Sequence, residues 1–171
     1  MAIIYQQQGL YDQALEIYKS VLDTKVRVVG HNHISVATTY GNMAIVYNRQ
    51  GHYERALEYY QKVLDITIKV VGHDHIDVAR TYVNMANVYD SQGHYERALE
   101  YYQKSLDIKI RVVGHDHIDV ANSCQNIAVV YLNQGKQAQA IEMATKAYDI
   151  NLKVLGSDHP STRQLKSFLG K

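Results

Sequence analysis

The chain has 171 residues and a formal net charge of +1, so nothing in its composition indicates attraction to nucleic acid or to an anionic membrane. Its single cysteine, Cys124, excludes an internal disulfide and fits a reducing compartment, so we expect a cytoplasmic protein. No apolar run approaches the roughly 20 residues of a membrane-spanning helix. The first eight residues also lack the basic and apolar regions of a signal peptide.

A period of 42 residues dominates the sequence. Residues 51–92 are repeated almost letter for letter at 93–134, and glycines recur at the same interval, as Gly9, Gly51, Gly93, Gly135 and as Gly30, Gly72, Gly114, Gly156. Such a period is typical of a solenoid, in which each unit buries its apolar face only against its neighbours. We therefore predict an all-α solenoid of antiparallel helix pairs that forms one array over residues 1–171.

Apolar stripes at helical spacing, interrupted by the periodic glycines, divide each unit into two helices. In chain order the predicted helices are 1–8, 11–29, 34–50, 53–70, 76–92, 95–112, 118–134, 137–155 and 160–168. The array then consists of a partial first repeat (1–33), three full units (34–75, 76–117, 118–159) and a C-terminal capping helix (160–171). Asp116, three residues before Asp119, is the expected N-cap of the seventh helix.

The first helix is a remnant, because Met1 aligns with Met43 and Met85, which lie in the middle of a first helix. We expect the chain to be a fragment of a longer protein. The remnant would expose Ile3, Ile4 and Tyr5 without the polar capping repeat that solenoids need for solubility. A second hypothesis is therefore a self-associating structural module, a homo-oligomer that stacks or swaps through this end.

The repeated residues resemble the tetratricopeptide signature: Tyr82, Met85, Ala86 and Tyr89, followed by Gly93, Tyr95, Ala98, Leu99 and Tyr102. The 42-residue length and the Gly-x-Asp-His loop are similar to the repeats of kinesin light chains. The resemblance implies a right-handed superhelix whose first helices line a concave groove. It also implies a non-catalytic scaffold or adaptor that binds a protein partner. Ile34, Ile76 and Ile118 depart from the family, which usually has proline there, and Ala144 stands where the other units have tyrosine.

The groove-facing stripe of the first helices carries asparagine at the full period, as Asn42, Asn84 and Asn126. A carboxamide both donates and accepts hydrogen bonds, so it can hold a peptide backbone whatever the side chains. The resemblance implies this role for the three amides. The alternative is that they bond to neighbouring helices and fix the stacking of the repeats.

Other residues of the stripe are expected to give selectivity for an extended peptide. Ile45, Val83 and Val129 would form apolar pockets, and Arg80 is the cation at the centre of the groove. The polar members are Asn87, Asn122 and Gln125. We expect no catalytic residue or cofactor, because no phosphate-binding loop, nucleophile elbow or convergent acid–base set is present. We expect no nucleic-acid partner, because no basic patch accompanies the tyrosines.

Histidine pairs in the loops offer a third reading, since imidazole beside carboxylate is metal-ligand chemistry. The pairs are His31 with His33, His73 with His75 and His115 with His117. The competing interpretation is that the second histidine and the aspartate cap the following helix. We favour this interpretation and predict no metal site.

Overall fold

The structure, a computed structural model, describes residues 1–170, which form helices joined by short turns without any strand. The nine helices of this part are α1 (Ala2–Gln7), α2 (Tyr11–Val29), α3 (Ile34–Arg49), α4 (Tyr53–Val71), α5 (Ile76–Ser91), α6 (Tyr95–Val113), α7 (Ile118–Asn133), α8 (Gln137–Leu155) and α9 (Pro160–Phe168). The prediction of an all-α fold of repeated helix pairs is confirmed. Each predicted helix boundary lies within one residue of the observed one.

Contacts between Cα atoms divide the chain into two units, Met1–Val88 and Tyr89–Lys171. In the first unit α1 packs on α2, α2 on α3 and α3 on α4. Its core includes Val36, Ala37 and Ile66, against which the partly buried Tyr40 and Val63 pack. Small and β-branched residues on the first helix thus let the longer second helix approach closely.

In the second unit α6 packs on α7, α7 on α8 and α8 on α9. Alanines at 98, 121, 140 and 147 are almost completely buried at these contacts. Cys124 is also buried and free, as expected for a small core residue, and burial raises the pKa of its thiol.

A histidine lies directly before the first helix of a helix pair and caps its N-terminus. The Nδ1 atoms of His33, His75, His117 and His159 each accept a hydrogen bond from the backbone N–H two residues later, at 3.1–3.2 Å. The prediction that Asp116 is the N-cap of α7 is wrong, because His117 occupies that position and the Asp116 carboxylate contacts Nζ of Lys153. The histidine part of the capping interpretation is confirmed.

Glycine ends the helices of both types. Gly93 has φ +73° after the first helix of its pair, and Gly114 has φ +85° and ψ 165° after the second. Side chains are strained in such conformations, which explains why glycine recurs at these two places of the period.

Candidate functional site

A cavity of about 260 Å³ lies in the first unit between α3, α4 and α5. Asn42 of α3 and Asn84 of α5 both line it, and Ile45 and Arg80 stand beside them. The remaining lining residues are Ile34, Ala37, Thr38, Gly41, Tyr60, Val63, Thr67, Asp77 and Thr81. The structure thus brings together four residues that the sequence assigned to the peptide site.

The carboxamides of Asn42, Asn84 and Asn126 are half-buried. None of the three forms a hydrogen bond with another residue in the described part of the chain, 1–170. The alternative role, in which these amides fix the stacking of repeats by bonding to a neighbouring helix, therefore has no hydrogen bond to support it. Donors and acceptors that face a cavity remain open to a ligand.

Arg80 has a partner within its own helix. Its Nη2 atom lies 2.7 Å from Oδ1 of Asp77, while the Arg80 side chain remains 72% exposed. The aspartate partly neutralises the cation, and an exposed pair of this kind contributes little to stability. The rim of the cavity is therefore polar and close to neutral, which does not favour a strongly acidic ligand.

The lining of this cavity also includes residues of α4 and a glycine of α3. Burial raises the pKa of the Tyr60 phenol to about 12, so the side chain is neutral at physiological pH. A Cβ atom on Gly41 would lie 3.8 Å from Cγ2 of Val63, in ordinary van der Waals contact, so a small side chain would fit at this position. Tyr60, Val63 and Gly41 line the same cavity as the two amides.

The second unit contains a cavity of about 380 Å³ between α7, α8 and α9. Its lining includes Asn126, Gln125 and Val129, three further residues of the predicted site. The other lining residues are Ala128, Leu132, Ala144, Gln164, Leu165 and Phe168.

The two cavities occupy the same place in the repeat. Seven residues that line the first cavity have a counterpart 84 residues later, two periods of 42, that lines the second. The pairs are Gly41 and Gln125, Asn42 and Asn126, Ile45 and Val129, Tyr60 and Ala144, Arg80 and Gln164, Thr81 and Leu165, Asn84 and Phe168. The first site is therefore polar on its α5 side, whereas the second is apolar on its α9 side.

Three residues of the predicted site, Val83, Asn87 and Asn122, do not line either cavity. Conversely, reasoning from the first helices alone missed Tyr60, Val63 and Thr67, which the second helix α4 contributes. The sequence signal for the second cavity was the alanine at 144, where the other units have tyrosine.

The histidine pairs do not form a cluster of metal-ligating residues. Among residues 1–170 there is no group of three or more His, Cys, Asp or Glu side chains that could hold a metal ion. Nδ1 of His117 also accepts the Asp119 backbone N–H, at 3.1 Å, so that its lone pair is already used. These observations favour the structural role of the loop histidines.

Comparison with known families identifies the repeat. The tetratricopeptide repeat model matches residues 1–69, 37–111 and 77–153, which together span most of the chain. The chain belongs to the tetratricopeptide repeat family. Its fold is typical of non-catalytic scaffolds. No curated protein matches the sequence.

Solved structures share the fold at low sequence identity. BtubC (BKLC) from P. vanneervenii has a TM-score of 0.83 and 24% identity over 99% of this chain and 67% of its own. A Podosopora anserina protein of nearly identical TPR-like repeats, named for the kinesin light chain, has a TM-score of 0.81 and 24% identity over 98% of this chain and 80% of its own. The resemblance to kinesin light chain-like repeats is thus confirmed for the fold.

Within residues 1–170, no helix is both long enough and apolar enough to cross a membrane.

Proposed function

We propose that this chain is a cytoplasmic scaffold or adaptor that binds an extended peptide segment of a protein partner. Tetratricopeptide repeats mediate protein–protein interaction, and that general role follows from the family. The proposal adds the mode of binding. Asn42 and Asn84 in the first unit, and Asn126 in the second, hold the peptide backbone.

The main support for the proposal is that these amides have no hydrogen-bond partner within the described part of the chain. Asparagine is a mediocre helix former, because its side chain competes for backbone hydrogen bonds. Three asparagines nevertheless recur in mid-helix, half-buried and lining cavities, without a hydrogen bond to another described residue. Open carboxamides in a cavity match the alternating donors and acceptors of an extended backbone.

A comparison of two repeats within the chain also supports the groove stripe as the binding surface. Segments 51–92 and 93–134 are identical at 31 of 42 positions, and eight of the 11 differences fall in the first helix, at 76–91 against 118–133. The groove-facing stripe of a first helix has five positions, at i, i+3, i+4, i+7 and i+11. Four of them differ, namely Arg80, Val83, Asn87 and Ser91 against Asn122, Gln125, Val129 and Asn133. The fifth position keeps asparagine. Buried positions differ as well, with Thr81 and Met85 against Ser123 and Ile127, but on the groove stripe only the asparagine is the same in both copies.

The expected ligand is neutral or of mixed polarity. Asp77 neutralises part of the Arg80 charge, so the first cavity does not offer the several free cations that an acidic peptide needs. Each amide bond to a peptide would contribute about 0.5–1.5 kcal/mol. Because ordering a flexible peptide is unfavourable, we expect dissociation constants of roughly micromolar size.

The experiment is a peptide-display selection against the chain, followed by affinity measurements on the selected peptide. Substitution Asn84→Ala should weaken binding by about 3- to 10-fold, because it removes up to two hydrogen bonds to the backbone. Asn32→Ala, the same change at an exposed loop position, is the matched control and should leave affinity unchanged. Equal affinities of the chain and the Asn84→Ala variant would remove the amides from the site.

Self-association is a second candidate, favoured by the exposed apolar residues of α1. Ile3 and Ile4 are 58% and 54% exposed, and Tyr5 is half-buried on the same short helix. Burial of two isoleucines against another copy would stabilise a dimer by about 1.5–3 kcal/mol per fully buried side chain. We expect light scattering to show a mass that rises with concentration, and Ile3→Gln with Ile4→Gln to abolish the rise. A monomer at the highest accessible concentration would contradict this candidate.

A further inference from the structure

Alanine at 144 leaves a space that tyrosine fills in the other repeats. Tyr18, Tyr60 and Tyr102 precede Ala144 at intervals of 42 and are only 4–5% exposed. Ala144 lines the cavity of the second unit, which is about 380 Å³, against about 260 Å³ for the equivalent cavity, which has Tyr60 in its wall. The chain itself therefore shows which side chain fits this place of the repeat.

Helix α9 makes the opposite wall of the same cavity apolar. Leu165 and Phe168 stand where the first unit has Thr81 and Asn84. Phe168 and Val129 remain 41% and 51% exposed, although both line the cavity. Apolar side chains around an open concavity are typical of a binding pocket for an apolar group.

The absence of charge in the lining indicates which kind of side chain the cavity would bind. None of the nine lining residues is charged, and the polar ones, Gln125, Asn126 and Gln164, are neutral carboxamides. A charged side chain would lose hydration here without gaining a counter-ion. An aromatic ring with a hydroxyl or N–H edge can bury its body and direct that edge to the carboxamides.

We propose that the cavity between α7, α8 and α9 binds an aromatic side chain of the partner peptide, with tyrosine as the best fit. The inference rests on the proposed function, since it supplies the side-chain selectivity of the same peptide. Phe168, Leu165 and Val129 contact the ring, Gln125 and Gln164 the polar edge, and Ala144 provides the space.

The first test uses N-acetyl-tyrosine amide as the probe, with N-acetyl-alanine amide as its control, and methyl NMR of the intact chain. The methyl signals of Val129, Leu132 and Leu165 should shift and saturate at millimolar tyrosine amide and remain still with the alanine amide. Ala144→Tyr fills the cavity and should abolish the shifts. Ala138→Tyr, an exposed position on the same helix, should not. Phe168→Asn, which copies the first unit at a half-exposed site, should weaken probe binding at least 5-fold without a large rearrangement.

The second test uses the display-selected peptide and its aromatic→Ala version. Ala144→Tyr and Phe168→Asn should each lower affinity for the aromatic peptide about 10-fold and leave affinity for the alanine version unchanged. Equal affinity of the chain and both variants for the aromatic peptide would overturn the inference. So would probe-independent dimerisation that Phe168→Asn abolishes, because a second copy would then occupy the cavity.

The outcomes separate the two proposals. Suppose that Asn84→Ala lowers the affinity for both peptides, whereas Ala144→Tyr and Phe168→Asn change the affinity for the aromatic peptide no more than for its alanine version. The aromatic pocket is then wrong, and the proposal that the amides hold the peptide stands. If the probe binds as described but Asn84→Ala has no effect on any peptide, the pocket stands and the backbone-holding role of the amides is wrong.

Discussion

Thr162 and Asn151 are polar residues buried without hydrogen bonds between α8 and α9. Oγ1 of Thr162 and both polar side-chain atoms of Asn151 are inaccessible and have no partner among the described residues. An unsatisfied buried group of this kind costs about 1–3 kcal/mol of stability. The second unit therefore contains buried polar groups that lower its stability.

The repeat explains why Asn151 lacks a partner. At the equivalent place one period earlier, Nζ of Lys109 donates to Oγ of Ser123 at 2.8 Å, and its burial lowers the pKa of the ammonium group. In the last unit, asparagine replaces that lysine and Leu165 replaces that serine. The position that supplies the hydroxyl to Lys109 is therefore a leucine in the last unit, which can neither donate nor accept.

Thr162→Val should stabilise the protein. The other repeats have Val36, Val78 and Val120 at this position, and valine keeps the shape while removing the unpartnered hydroxyl. We expect the free energy of unfolding, measured by urea denaturation, to rise by about 1 kcal/mol. Thr145→Val, whose hydroxyl is partly exposed and donates to the carbonyl oxygen of Ile141, should change it by less than about 0.5 kcal/mol. A loss of stability in Thr162→Val would mean that the hydroxyl has a partner.

At the scale of helices, the histidine caps connect each loop to the following first helix. The second histidine of each pair accepts a backbone N–H of the first turn, which otherwise lacks an intrahelical partner. The same side chain therefore both ends the loop and begins the helix. This role accounts for its repetition without reference to a metal.

His117→Ala should destabilise the protein by about 1 kcal/mol, as expected for removal of an N-cap. His115→Ala is the matched control, because this first histidine of the pair is exposed in the loop. Thermal unfolding with and without a chelator checks both variants. Equal melting temperatures for the two variants, or a chelator effect on the unaltered chain, would contradict the capping role.

Helix boundaries could be predicted from the sequence because a glycine follows both helices of each unit and recurs with the 42-residue period. The N-cap identity could not, since Asp116 and His117 are adjacent and aspartate is a preferred N-cap. Only the backbone at the start of α7 decides between them, and it places the imidazole of His117, rather than the Asp116 carboxylate, against the free N–H of Asp119.

For the molecule as a whole, the sequence predicted the repeat and the stripe that carries the amides. It could not predict the cavities, because each combines two first helices with the second helix between them. The contribution of Tyr60, and the gap left where Ala144 replaces tyrosine, depend on this packing. The Arg80–Asp77 pair likewise changes the expected charge of the groove only once the side chains are placed.

The two cavities differ in their chemistry, so the two proposals assign a different part of a ligand to each. The first cavity contains Asn42 and Asn84 of the asparagine ladder, and the second, which is more apolar, contains Asn126 together with Gln125 and Gln164. Under these proposals the first cavity binds peptide backbone and small polar groups, and the second binds an aromatic side chain.

The most direct test of the central claim is NMR of the side-chain amide groups during titration with a display-selected peptide. The claim predicts that the carboxamide signals of Asn42, Asn84 and Asn126 shift and saturate, while that of the exposed loop residue Asn32 remains in place. Saturable binding that leaves the three groove amides unshifted would contradict it.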